Sequence, residues 1–225
     1  MVRSAVKPSP KAYHHGDLRN ALIEAGLAIV ELQGIEAVSL RAVARRAAVS
    51  HSAPYHHFDT KAELLAAVAA AGFDRLVKTI GHVAAQMTIR SALDGLRAVG
   101  TGYLQFALAH PGVFRLMFRP ELTRPADHPI LQEAEARAFG TLLSTIVQCQ
   151  QGGELPPGDP RHLAAVCWSA VHGLAVLHVE QVLRETPLSE IPIEELARSV
   201  VQAAMQAVQH PAPGAPDPPK PKTAP

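Results

Sequence analysis

The chain has 225 residues, 48% hydrophobic and 18% charged, with a formal net charge of +1. That balance excludes a disordered chain and a histone-like polycation, and the length allows one or two domains with a buried core. Two cysteines, Cys149 and Cys167, exclude a disulfide framework; with no secretory leader legible, a cytoplasmic protein is expected.

Charge is spread unevenly. Before residue 62 the lysines and arginines outnumber the acids, and His14, His15, His51, His56 and His57 lie in the same stretch. That end is expected to face a polyanion. Residues 1–12 read as a mobile basic arm. A first helix is predicted over 17–32, with Leu18, Leu22, Ala25 and Ile29 on one face and Gly34 able to end it. Ser39 caps a second helix whose Leu40, Val43, Ala44 and Ala47 point inward. A third, short helix is predicted from Ser50–Ser52 to Phe58. Thr60-Lys61-Ala62-Glu63 matches a capping box and opens a long helix through Leu64, Phe73, Leu76 and Ile80.

Further helices are predicted at 89–109, stopped by Pro111, and at 113–118. Another spans 128–151, entered at Asp127 and ended by Gly152-Gly153. The last two span 160–184, with Asp159 as cap before Pro160, and 193–209. No strand period or internal repeat is visible. The apolar run 163–179 is shorter than the roughly 20 residues of a membrane span and contains Ser169, His172 and His178, so it reads as a buried helix. Residues 210–225 are Pro-rich and read as a disordered tail. The expected fold is all-α: a three-helix helix-turn-helix domain over 13–60, then a larger helical ligand-binding and dimerisation domain over 61–209.

The most informative stretch is 39–61, SLRAVARRAAVSHSAPYHHFDTK, which has the form of a helix-turn-helix. Val43, Ala44, Val49, Ala53 and Phe58 supply its small core. Ser50, His51, Ser52, Tyr55 and His56 remain for the outer face, with the donors and acceptors that base edges and phosphates require. Lys61 at a helix start makes a phosphate clamp, and Arg41 can grip the backbone across the groove. His57 reads better as a structural histidine. The competing reading is a helical small-molecule or protein interaction module that binds no DNA.

At these residues the chain resembles the TetR/AcrR family of transcriptional regulators. The likeness covers about 13–76, and its most specific part is V-S-x-x-x-x-Y-x-H-F-x-x-K, from Val49 to Lys61. The resemblance implies that His51, Ser52 and Ala53 face bases and that Tyr55, His56 and Lys61 contact phosphates. It implies a backbone or base contact for Arg41 and an arm contact for Tyr13 and His14. Two positions depart from the family pattern: Ala48 stands where a turn glycine is usual, and Pro54 lies early in the recognition helix. Trp168, His172 and Gly173 (W-x-x-x-H-G), together with the run His110–Phe118, resemble the family branch with a WHG-type C-terminal domain.

Trp168 and His172 fall one turn apart on one helix face. With Tyr103, Phe106, Met117, Phe118 and Phe139 they make a candidate pocket for a small, mostly apolar effector; plain core packing is the alternative. Cys149, Cys167, His162, His172 and His178 are suitable metal ligands by type, yet their spacings match no metal site, so neither metal nor cofactor is expected. No nucleophile elbow, zinc-protease motif or phosphate loop is present, so no enzyme is expected. The apolar stripes Leu163, Val166, Val171, Leu174, Val182 and Leu196, Val200, Ala204, Val208 exceed one core seam. They predict a homodimer through a four-helix bundle, reading a palindromic operator on double-stranded DNA, most simply as a repressor.

Overall fold

A computed structural model of the chain describes residues 15–210. The expected arm 1–12, Tyr13, His14 and the tail beyond residue 210 lie outside the described residues. Among the described residues there are nine α-helices, several short 3-10 turns and no strand. An N-terminal helix-turn-helix domain is followed by a larger helical domain.

Helix α1 (His15–Gln33) buries Leu22, Ala25, Leu27, Ile29 and Val30 and ends at Gly34, whose φ is +86°. Helix α2 (Leu40–Arg46) starts where the Ser39 side chain accepts from the Ala42 amide at 3.1 Å. It ends in a Schellman arrangement. The Val49 amide donates to the Ala44 carbonyl at 3.0 Å and the Ala48 amide to that of Arg45 at 3.3 Å. Ala48 occupies the left-handed position of this motif with φ +55°.

The expected third helix is replaced by one 3-10 turn, Ala53–His56. Pro54 has no amide to donate, and the turn is closed by bonds from Tyr55 to Ser52 and from His57 and Phe58 to Pro54. Ala53, Pro54 and Phe58 are buried beneath it. The Arg19 guanidinium lies 5.2 Å from the Phe58 ring centroid, tying α1 to the turn.

Helix α3 (Lys61–Gln86) begins at the predicted capping box. The Glu63 amide donates to Thr60 Oγ1 at 3.1 Å, and Glu63 accepts in return from the Asp59 amide at 2.7 Å. It then runs into the larger domain, packing on α1 and on α4 (Ala92–Ala109), α5 (Pro111–Met117) and α7 (Pro129–Gln151). At Gly102 a Cβ would stand 2.7 Å from the Ile80 Cα, so α3 and α4 touch backbone to backbone there.

Several predicted boundaries move for local reasons. Helix α4 starts at Ala92 because Ser91 caps it, and α5 starts at Pro111 because proline suits a first helical position. Asp127 is not a cap. It lies in a 3-10 turn and pairs with Arg124, while His128 precedes Pro129 at the start of α7. A short α6 (Pro120–Thr123) precedes that turn. Helix α8 (Pro160–Val179) stops before the predicted 184, because Gln181 turns left-handed at φ +63°. Helix α9 (Ile193–Gln209) packs against α8 and α4.

By length and composition α8 could cross a membrane, but it is not the buried helix expected: only 33% of its most apolar window is buried. Its inner face carries Cys167, Val171, Leu174 and Ala175, and its outer face exposes Val166, Ser169, Gly173, Val176 and Leu177.

The exposed Ala48 carries a left-handed backbone that costs an L-residue about 1–2 kcal/mol. Ala48→Gly is therefore expected to raise the unfolding free energy by about 1 kcal/mol, after the added freedom of glycine in the unfolded chain is subtracted. Urea denaturation checks this.

Candidate nucleic-acid interface and apolar cavity

The turn between α2 and α3 presents a polar outer surface on an apolar base. Ser50, His51, Ser52, Tyr55 and His56 are exposed, and Tyr55 keeps 52% of its surface despite its ring. The Ser50 and Ser52 hydroxyls lie 3.2 Å apart. Arg41 is exposed in the first turn of α2, and Lys61 is exposed as the first residue of α3, where helix amides favour an anion. Ala53 is placed otherwise than the resemblance implied. It is buried, because the 3-10 turn points its methyl group at the small core. His57 is half-buried.

The larger domain holds a cavity of about 660 Å³ between α3, α4, α7, α8 and α9. Five of the expected wall residues line it: Tyr103, Met117, Phe118, Phe139 and Trp168. Two do not. Phe106, one turn after Tyr103 on α4, is fully buried against the His110 ring, whose centroid is 5.2 Å away, and does not reach the cavity. His172 lies beyond Phe118, whose ring is 4.6 Å away, and lines a smaller cleft of about 210 Å³ with Arg119 and Val176. The walls missing from the sequence-based set include Phe73, Leu76, Val171, Val201 and Met205, with Glu135 as the charged member. Each lies on a predicted helix, but which helices meet around one space is a long-range fact.

Three polar groups at the edge of this cavity satisfy one another. Trp168 Nε1–H donates to the Tyr103 hydroxyl oxygen at 3.3 Å, and that oxygen lies 2.7 Å from His172 Nδ1. Burial pushes the Tyr103 phenol up, so it keeps its proton. Burial also pushes His172 below its ordinary value, so the imidazole is neutral. The arrangement that satisfies all three has Tyr103 donating to Nδ1 and the histidine proton on Nε2. Trp168 and His172 are thus neither plain core nor free ligand groups; they lock α8 to α4 beside the cavity.

Both thiols are poor nucleophiles here. Burial raises Cys149 and Cys167 to about 11. Among the described residues, no three histidine, cysteine or carboxylate side chains converge as metal ligands would.

Helix α5 links the two regions. The Glu31 carboxylate of α1 accepts from the Gly112 and Val113 amides at 3.3 and 3.2 Å. A Cβ at Gly112 would stand 2.7 Å from the Val30 carbonyl oxygen. At the other end of α5, Met117 reaches the cavity. From its outer side Arg115 donates to Glu180 and to the Val179 carbonyl at the end of α8.

Comparisons with known proteins agree with this layout. Residues 22–68 match the family described as bacterial regulatory proteins, tetR family, and residues 96–204 match the tetracyclin repressor-like C-terminal domain. The chain is 34% identical to the HTH-type transcriptional repressor KstR of Mycolicibacterium smegmatis, over 66% of this chain and 70% of that protein. It is 22% identical to the HTH-type transcriptional regulator Rv0681 of Mycobacterium tuberculosis, over 81% of this chain and 77% of that one. A solved protein from Rhodococcus sp. RHA1 superposes with a TM-score of 0.74 at 29% identity, covering 89% of this chain and 100% of its own. The TetR family regulator PfmR of Thermus thermophilus shares the fold, with a TM-score of 0.60 at 17% identity over 84% and 99% of the two chains.

Tyr103→Phe leaves Trp168 Nε1–H and His172 Nδ1 without their shared partner. It is expected to lower the unfolding free energy by about 1 kcal/mol in urea titrations, since both groups left behind are partly open to water. The sign of the pH effect follows from the depressed His172: its native form binds fewer protons than its unfolded form below the ordinary value of 6.5. Its contribution to stability is complete above that value and is lost as the pH falls below it. His172→Asn should therefore show a shallower acid-side decline than the parent.

Proposed function

The chain belongs to the TetR family of transcriptional regulators, and on that premise we propose that it is a ligand-responsive repressor that binds a palindromic operator as a homodimer in the cytoplasm. The single observation that carries this reading is the pairing of an exposed polar turn with a separate, largely apolar cavity in one packed chain.

On the DNA side, Ser50, His51 and Ser52 reach base edges from the turn, and Tyr55, His56 and Lys61 hold phosphates, with Arg41 gripping from α2. Ala53 supports the turn from beneath instead of meeting a base.

The homodimer forms through α8 and α9. Val176 and Leu177 are 36% and 40% exposed on the outer face of α8, beside the small residues Ala165, Ser169 and Gly173. Small residues at the centre and larger ones at the margin suit close helix packing into a four-helix bundle. Two-fold symmetry then sets two reading turns on successive grooves.

The effector is a small, mostly apolar molecule seated among Tyr103, Met117, Phe118, Phe139 and Trp168. It acts only through unequal affinity for two dimer shapes. Helices α3 and α5 both run from the cavity to the DNA-binding domain and carry the shift.

Two measurements test the reading. Tyr55→Ala with Lys61→Ala is expected to weaken binding to the upstream intergenic duplex by on the order of tenfold or more and to flatten its salt dependence, because phosphate contacts release counterions. Fluorescence anisotropy at several salt concentrations reads both effects, and unchanged binding would place the interface elsewhere. Val176→Glu puts a charge on an exposed surface of the single chain, so the fold should survive while the dimer separates. Sedimentation velocity should show a folded monomer.

A further inference from the structure

Among the residues lining the larger cavity, one carries a formal charge, and it is Glu135. The other polar members, Tyr103, Trp168, Gln132 and Cys167, are neutral. Glu135 sits on α7 and is half-buried, and burial raises its carboxyl above the ordinary carboxylate value. The nearest cation in sequence, Arg137, is engaged elsewhere: it donates to Asp74 on α3 at 2.9 Å and pairs with Glu133 at 4.0 Å. Among the described residues Glu135 has no ion pair and no hydrogen bond of its own. A half-buried carboxylate at the wall of an apolar space, without a partner, loses part of its hydration, and a donor or cation that enters with the ligand compensates it. A ligand carboxylate would meet a like charge there and find no lysine, arginine or charged histidine on the wall.

We propose that Glu135 is the polar anchor of this cavity and that the effector is an amphiphile with an apolar body and a protonated amine, not a fatty acid or other carboxylate. The apolar body lies along Phe73, Leu76, Phe139 and Val171, and the amine donates to the Glu135 carboxylate, with the Gln132 amide one turn away on α7. This inference rests on the proposed role of the cavity as the effector site, and it adds the charge of the effector.

Trp168 is the only tryptophan of the chain and lines the cavity, so its emission reports occupancy directly. The full chain is titrated with dodecylamine, dodecanol and dodecanoate below their micelle concentrations, with far-UV circular dichroism confirming that the fold persists. Dodecylamine is expected to bind at least about tenfold more tightly than dodecanoate. In Glu135→Gln that preference should collapse to near unity while dodecanol affinity stays the same. Equal binding of amine and carboxylate by the parent chain, or an undiminished preference in Glu135→Gln, overturns the charge assignment and leaves the cavity reading standing. Failure of all three probes to alter Trp168 emission overturns the cavity reading and this inference with it.

Discussion

The joint between α1 and α5 is the constraint on which the arrangement of the two domains depends. A short helix is held end-on by a carboxylate from another domain, because Glu31 accepts from the two backbone amides that begin α5. Such a bond is charge-assisted and meets the positive end of the peptide dipoles. It forms only because residue 112 is a glycine: any side chain there would run into the Val30 carbonyl. Gly72 on α3 lets α5 side chains come close in turn, since a Cβ there would stand 2.8 Å from the Met117 sulfur and 2.9 Å from a Val113 methyl carbon. With its start fixed on α1 and its flank fixed to α8 by Arg115, α5 cannot shift without moving one of those partners. Its last residue, Met117, is also a cavity wall. Close-packed interiors transmit such displacements because there is no free volume to absorb them.

A second carboxylate repeats the device at the far end of the larger domain. Glu154, just after α7, accepts from the Ala92 and Leu93 amides that begin α4, and those bonds hold it below its ordinary value. Helix α4 is therefore fixed at its start by Glu154 and in its middle by the close approach of Gly102 to Ile80 and the hydrogen bonds of the adjacent Tyr103. The cavity is bounded on that side by a helix with little freedom. Elsewhere the wall is made by Pro120 and Pro125, Gln132 and the exposed parts of α7, held by fewer long-range bonds. A ligand would find its adaptable wall there.

What the sequence makes legible follows physical range. Ser39, Thr60 and Asp159 are readable as caps because a cap is a bond across two or three residues. Gly34 and the box at Thr60 place the end of α1 and the start of α3 for the same reason. The recognition element is readable by composition and not by shape: the hydrogen-bond deficit of Pro54 favours a 3-10 turn, while the residue pattern alone fits a helix. Asp127 has the residue type of a cap, yet Arg124 nearby competes for its carboxylate. The cavity is half legible. Aromatic residues spaced by one turn mark the correct faces of α4 and α8, but Phe106, one turn after Tyr103, is sealed in the core beside the cavity instead of lining it. Glu135 gives no local sign, since the cavity it lines is walled largely by residues of other helices.

Helix α8 couples the cavity to the outer surface because it is a partition one helix thick. Cys167, Trp168 and Val171 face the cavity, and Val166, Ser169, Gly173 and Val176 face outward from the same helix. A helix cannot rotate to accommodate a body on one side without re-aiming the other side by the same angle. The polar bond from Trp168 to Tyr103 opposes that rotation, since turning the helix would break it and take the buried Tyr103 hydroxyl from its partner. On the proposed reading, an effector that displaces Trp168 removes this restraint and re-aims the dimer face in the same movement. The spacing of the two reading turns then depends on the cavity through α8 as well as through α3 and α5. A sensor built this way needs no contact between ligand and reader, only a shared wall with two uses.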